Sequence, residues 1–104
     1  MIDKDKVWKE WDLKNVPSPS YVLHMGMLEE NLKVIDKVRK EAGVDIIMAL
    51  KANATWAIFP LLTQHSDGAT ASSIAEARLI HEEMKCKAHT YAPVYAEEEF
   101  DELL

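Results

Sequence analysis

Apolar residues along this chain recur with two different periods, and the longer period predicts an amphipathic helix. Leu28, Leu32, Ile35 and Val38 lie three or four residues apart, with charged residues between them. This spacing places an apolar stripe along one side of a helix with about 3.6 residues per turn. Gly43 follows the stripe and is suited to a left-handed stop. We therefore predict a helix from about residue 27 to residue 43.

Shorter apolar runs predict strands between this helix and its neighbours. Residues 45–50 are apolar on both faces and rich in strand formers, as in a parallel strand buried on both sides. Two prolines within residues 16–20 end any helix there, and Ser73 with Glu76 has the spacing of a capping box. The predicted order is strand 21–23, helix 27–43, strand 45–50, helix 55–65, strand 68–71, helix 73–84, strand 88–92 and helix 97–104.

Two of the predicted helices carry the side chains that we expect to form much of the core. Pro60 should lie near the first turn of helix 55–65, because proline is tolerated there. The side chains expected to pack inward are Trp56, Phe59, Leu61, Leu62, Ile74, Ala77, Ile80 and Met84.

Alternation of strands and helices indicates an α/β fold with parallel strands joined by right-handed crossovers. A closed barrel of eight such units takes about 250 residues, so we expect this chain to be the front part of a longer protein. Residues 1–15 are predicted to be an amino-terminal arm in which Val7, Trp8 and Trp11 dock on another part of the molecule. Residues 16–104 are predicted to be the first βα units of the barrel.

Composition and charge exclude several classes of function. Twelve Lys and Arg against eighteen Asp and Glu give a net charge of −6, which argues against a nucleic-acid partner. The longest apolar run has five residues, residues 46–50, far below the roughly 20 of a membrane-spanning helix. The amino terminus lacks an apolar signal segment and Cys86 is the single cysteine, so we expect a cytoplasmic protein with a reduced thiol. The four histidines lack metal-ligand spacing, and no metal site is predicted.

Lys51 is the main candidate for chemistry. It follows the predicted buried strand 45–50, and the two-residue period of a strand places it on the same face as Ala49. Active sites of parallel α/β proteins form at the carboxyl ends of the strands. Partial desolvation there would favour the neutral amine that forms a Schiff base, and the small alanine leaves room for a flat ring. The alternative is a lysine that caps the strand and points to water.

A family resemblance rests on several blocks of sequence. The segment Ala49-Leu50-Lys51-Ala52-Asn53 resembles the lysine motif of the fold-type III pyridoxal-phosphate decarboxylases. Four further blocks resemble the carboxynorspermidine decarboxylase branch of that family, and together the blocks cover about residues 16–100. These blocks are residues 17–23, 55–61, 67–73 and 76–82.

The resemblance implies a (β/α)8 barrel in which Lys51 is the catalytic residue and the covalent anchor of pyridoxal 5'-phosphate. It implies cofactor-binding roles for Lys51, Ala49 and Ser73, although the capping box also accounts for Ser73. It further implies a polyamine carboxylate substrate, carboxynorspermidine or carboxyspermidine, and a homodimer. One position departs from the family, because Thr70 stands where sister decarboxylases commonly have an acidic residue, and Asp67 lies three residues earlier.

Other hypotheses remain open at this point. The chain could belong to a diaminopimelate, ornithine or arginine decarboxylase of the same fold. It could also be a non-catalytic fragment or a partner module. The chain offers no glycine-rich phosphate loop and no partner for the pyridine nitrogen, so this piece alone is expected to be inactive.

Overall fold

The structure, a computed structural model, describes residues 3–104. Five α-helices and three short parallel strands alternate along them, with single turns of other helix types between. The helices and strands are α1 Lys4–Glu10, α2 Met25–Ala42, β1 Met48–Ala49, α3 Phe59–Leu62, β2 Ala69–Ala71, α4 Ile74–Leu79, β3 Ala88–Thr90 and α5 Phe100–Leu103.

The sheet is parallel, as the alternation of elements predicts. Its order is β1-β2-β3, with Met48 beside Ala69 and Ala69 beside Ala88. Hydrogen bonds extend the pairing of β1 with β2 beyond the strand bounds, because the carbonyl of Ile46 accepts from Asp67 and the amide of Leu50 donates to Thr70. Pairing therefore spans residues 46–50, which matches the predicted strand.

One face of the sheet carries the core. Ala69 and Ala71 are fully buried, and Met48 and Ala88 pack against the same cluster. Burial of such apolar surface stabilises the fold by about 25 cal/mol per Å². The buried apolar residues are Leu32, Leu50, Ile58, Phe59, Leu62, Ala69, Ala71, Ile80 and Met84.

The opposite face of the sheet is only partly covered by the described residues, and we call it the open face. Ala49, Thr70 and His89 lie in register on it, and none of them joins the buried cluster. Ala49 and Thr70 are half-buried and His89 is exposed. The expectation of a strand buried on both sides is wrong for the part of the chain that the structure describes.

Helix α2 confirms the amphipathic prediction in most respects. Leu32 is buried, Leu28 and Ile35 pack against the core, and Gly43 ends the helix with a φ of 65°. Glycine adopts this left-handed conformation without the steric cost that a Cβ imposes. The expectation that Val38 lies on the buried stripe is wrong, since it is 50% exposed and makes no part of the core cluster that Leu28, Leu32 and Ile35 contact.

Helix α4 also begins where predicted. Ser73 is its N-cap, and the helix continues beyond Leu79 as a wider π-helical turn, Ile80–Met84. Both Ile80 and Met84 reach the core, as expected.

Three other predicted elements differ from the structure. Residues 21–23 form no strand and are exposed, because a strand needs a ladder partner and they make no ladder hydrogen bonds. Predicted helix 55–65 is instead a 3₁₀ turn, Trp56–Ile58, followed by the short α3, with Pro60 in its first turn as expected. Predicted helix 97–104 likewise divides into a 3₁₀ turn, Glu97–Glu99, and α5.

The amino-terminal arm docks through one of its predicted aromatic residues. The ring of Trp11 stacks on that of His24, with centroids 5.0 Å apart and an interplanar angle of 27°. His24 in turn caps α2, because its Nδ1 accepts the amide hydrogen of Met27 at 3.0 Å. The prediction that Trp8 docks concerns a side chain that lies outside the described part of the structure.

Candidate active site

The carboxyl ends of the three strands form one edge of the sheet. There the amide of Leu50 donates to the carbonyl of Thr70 at 3.3 Å, and the amide of Tyr91 donates to the carbonyl of Ala71 at 2.9 Å. These bonds hold Leu50 and Tyr91, the first residues after β1 and β3, against the last residues of β2 between them. Because loops from all three strands begin at this edge, it is the place where an α/β fold assembles a site.

Lys51 lies at this edge, in a tight turn. The amide of Ala52 donates to the carbonyl of Ala49 at 3.0 Å, so the chain reverses immediately after the strand. Leu50 anchors the turn in the core, with 2% of its surface exposed. Lys51 itself is exposed, and the described residues do not supply the partial desolvation that the sequence predicted.

Ala49 is the last residue of β1, two residues before Lys51, and it lies on the open face of the sheet. Its neighbour in register is Thr70, whose hydroxyl donates to the carbonyl of His89 at 2.7 Å. A small side chain at residue 49 leaves space over the open face beside Lys51. The arrangement is compatible with the predicted flat ring.

Ser73, the N-cap of α4, and Glu76, in the first turn of that helix, follow β2 at the same edge. The Ser73 Oγ accepts the amide hydrogen of Glu76 at 3.2 Å, which is the predicted N-cap contact. The Glu76 carboxylate accepts the amide hydrogen of Ser72 at 2.6 Å, one residue before the position that a capping box requires. The hydroxyl hydrogen of Ser73 is free to make a further bond, since serine both donates and accepts.

Asp67 lies at the opposite edge of the sheet. Its Oδ2 accepts the amide hydrogen of Ile46 at 2.9 Å, and its Oδ1 accepts from the guanidinium of Arg39. These contacts tie α2 to the beginnings of β1 and β2. Asp67 is therefore a structural residue and not the acidic partner of Lys51.

Arg39 links Asp67 to a second carboxylate, that of Asp36 on α2. Its Nη2 lies 2.7 Å from the Asp36 Oδ1, and hydrogen bonds from Lys40 and Arg39 hold the pKa of Asp36 below its usual value. The same carboxylate raises the pKa of Arg39. This network lies away from the carboxyl edge and stabilises the fold there.

Cys86 and the groove near it lie on the other side of the sheet. Burial raises the pKa of the Cys86 thiol, which keeps the thiol neutral and weakly nucleophilic. The groove runs between α4 and α5, and Ala88 and Thr90 of β3 line it. These two residues lie on the face of the sheet opposite to that of His89, which is on the open face. The groove therefore does not reach the face that carries Ala49.

Sequence reasoning missed one residue of the carboxyl edge. Tyr91 directly follows β3 and its side chain is 76% exposed, although tyrosine residues are commonly half-buried. The available signal was an aromatic residue near the end of the predicted strand 88–92, which was not interpreted as a site residue. Trp56 was predicted to pack in the core but is 64% exposed in the loop after Lys51.

Within residues 3–104, no group of three or more His, Cys, Asp or Glu is placed to hold a metal ion. None of the helices described for this chain is long and apolar enough to cross a membrane.

Comparison with known proteins identifies the class of enzyme that this chain resembles. No family model matches it. Its curated relatives are decarboxylases, and the chain is a partial match to these larger enzymes. It spans about a quarter of their length, since the matched residues are 24% of one relative and 21% of another.

Carboxynorspermidine/carboxyspermidine decarboxylase is the name that recurs among these relatives. The enzyme from Herminiimonas arsenicoxydans is 38% identical over 89 residues, which are 86% of this chain. A carboxyaminopropylagmatine decarboxylase from Synechocystis is 40% identical over 83 residues, which are 80% of this chain.

A solved structure has the same fold over the matched part. It is carboxynorspermidine decarboxylase from Campylobacter jejuni complexed with norspermidine, with a TM-score of 0.81 and 28% sequence identity. The match covers 85% of this chain and 24% of that one. The α/β arrangement with a parallel sheet is therefore shared with that enzyme.

Proposed function

We propose that this chain provides the catalytic lysine and the first βα units of a pyridoxal-phosphate-dependent decarboxylase acting on carboxynorspermidine or carboxyspermidine. The observation that carries the proposal is the place of Lys51. It lies in the turn after β1, at the carboxyl edge of a parallel sheet and inside the Ala49–Asn53 motif. The match to decarboxylases of that name supports the choice of reaction.

The residues of the edge have distinct roles in this proposal. The Lys51 amine would hold the cofactor through its aldehyde group, and Ala49 would leave space for the ring on the open face. Ser73 remains the N-cap of α4 and uses its hydroxyl hydrogen to contact the cofactor. When bound, pyridoxal phosphate supplies an electron sink for the bond that breaks as carbon dioxide leaves.

A polyamine carboxylate is the proposed substrate class. The Campylobacter jejuni enzyme was solved with norspermidine, which supports a site for a chain of amines. The rest of a (β/α)8 barrel, a homodimer and a cytoplasmic location complete the proposal.

A second candidate substrate is carboxyaminopropylagmatine. The relative of that name has the same level of identity to this chain, 40%, as the carboxy(nor)spermidine enzyme at 38%. Diaminopimelate, ornithine and arginine decarboxylases, and a non-catalytic module, are the remaining alternatives. Assays of one enzyme preparation with the substrate of each of these decarboxylases separate the alternatives.

A chimaera tests the proposal. Residues 16–104 of this chain replace the matching segment of the Herminiimonas arsenicoxydans decarboxylase, and folding is checked by circular dichroism. The chimaera is incubated with pyridoxal phosphate, reduced with borohydride and digested for peptide mapping. Release of carbon dioxide from carboxynorspermidine is measured in parallel, with Lys51→Ala as the variant and Lys37→Ala, an exposed lysine of α2, as the control.

We expect the reduced cofactor on Lys51 and decarboxylation that Lys51→Ala abolishes and Lys37→Ala leaves unchanged. A label on another lysine, or activity that survives Lys51→Ala, would contradict the proposal. Co-expression of the 104-residue chain with the remainder of the same enzyme repeats the test without the fused junction.

A further inference from the structure

Tyr91 has a fixed backbone and an exposed side chain. Its amide donates to the carbonyl of Ala71 at 2.9 Å, which holds the residue against the end of β2. Its side chain is nevertheless 76% exposed. Tyr95, four residues later, is half-buried and packs edge-on against Phe100, with ring centroids 6.0 Å apart. Tyr91 makes no such contact among the described rings.

The register of the sheet places the segments that carry Lys51 and Tyr91 two strands apart. Ala49 pairs with Thr70, and Thr70 pairs with His89. These three residues form one row across the open face, with Lys51 in the turn two residues after Ala49 and Tyr91 two residues after His89. Strands lie about 4.8 Å apart, so β1 and β3 are separated by about 10 Å, or two strand spacings.

The strand period also places Tyr91 on the open face. Residues two apart share a face, so Tyr91 falls on the face of His89, opposite Ala88. Ala88 packs against the core, whereas His89 is exposed. Tyr91 and the turn that contains Lys51 thus lie at the same carboxyl edge, on the two sides of the open face that carries Ala49.

We propose that Tyr91 is a substrate-contacting residue whose ring binds an ammonium group of the polyamine. This inference rests on the function proposed above. An ammonium ion is attracted to an aromatic face within about 6 Å of the ring centroid. A molecule held at Lys51 and extending about 10 Å across the three strands reaches the end of β3, where Tyr91 lies.

Tyr91→Ala and Tyr91→Phe in the chimaera test the inference. The readouts are the KM and kcat for carboxynorspermidine, the Kd for norspermidine by calorimetry, and the visible absorbance of the bound cofactor. Tyr21→Ala is the matched control, because this tyrosine is fully exposed and has no ladder hydrogen bond.

We expect Tyr91→Ala to raise both the KM and the norspermidine Kd about five-fold or more, with the cofactor absorbance unchanged. Tyr91→Phe keeps the aromatic face and should change both by less than about two-fold. Unchanged KM and Kd in Tyr91→Ala, with activity that still requires Lys51, would overturn this inference alone. Activity independent of Lys51 would overturn the proposed function instead.

Discussion

Ser73 offers a direct test of how the carboxyl edge is built, because one side chain serves the helix and is proposed to serve the cofactor. Its Oγ accepts the amide hydrogen of Glu76 at 3.2 Å, one of the unpaired donors in the first turn of α4. Replacing an N-cap serine by alanine costs about 1 kcal/mol, within a range of about 0.5 to 2. Ser73 is exposed, so water partly replaces the lost bond and the central value applies.

The expected consequence of Ser73→Ala is a loss of about 1 kcal/mol in the free energy of unfolding, about a five-fold change in the folding equilibrium. Urea denaturation of the 104-residue chain, followed by circular dichroism at 222 nm, measures it. For a domain of this size the melting temperature should fall by about 4–8 °C. Ser73→Asp keeps an acceptor at the cap and should retain stability.

Ser72→Ala is the control for this prediction. Ser72 contributes its backbone amide to the Glu76 carboxylate, and alanine retains that amide. A loss in Ser72→Ala equal to that in Ser73→Ala, or no loss in Ser73→Ala, would refute the capping argument. If Ser73 also contacts the cofactor, Ser73→Asp in the chimaera should retain stability yet bind pyridoxal phosphate more weakly, because two anions then face each other.

Three further predictions concern the core, the end of α2 and the loss of stability at acidic pH. Phe59→Ala should cost about 3–5 kcal/mol in urea denaturation, because Phe59 is fully buried, whereas Val34→Ala on the exposed side of α2 should change it by less than about 0.5. Equal losses would show that Phe59 is not in the core. Gly43→Ala should cost about 1 kcal/mol by the same measurement, from the left-handed φ of 65° alone, since no atom beyond the adjacent residues lies within 4 Å of the added Cβ; a neutral result would contradict the assigned conformation. Hydrogen bonds from Lys40 and Arg39 lower the pKa of Asp36, so its contribution is complete above the ordinary pKa of about 4 and is lost as pH falls through the lower, folded value. Urea midpoints measured from pH 6 to pH 2 should therefore fall less steeply in Asp36→Asn than in the unchanged chain. The same decrease in both proteins would show that Asp36 does not contribute to the loss of stability at acidic pH.

Local features of the sequence determined much of the fold. The three- to four-residue spacing around Leu32, the stop at Gly43 and the cap at Ser73 each depend on neighbours within one or two helical turns. The alternation of strands and helices was enough to predict a parallel sheet. The position of Lys51 after a strand is local in the same sense, and its role as the cofactor anchor stays a prediction.

Tertiary structure alone decided the features that depend on distant partners. Residues 21–23 have the composition of a strand but lack a ladder partner, and Trp56 has helical spacing but no core beside it. The contacts of Asp67 with Arg39 and Ile46 join residues 28 and 21 positions apart, respectively, which no local period encodes. Tyr91 and Lys51 come to one edge of the sheet only when the three strands pair. Hydrogen-bond pairing and burial are properties of two or more segments together, and a single segment of sequence does not contain them.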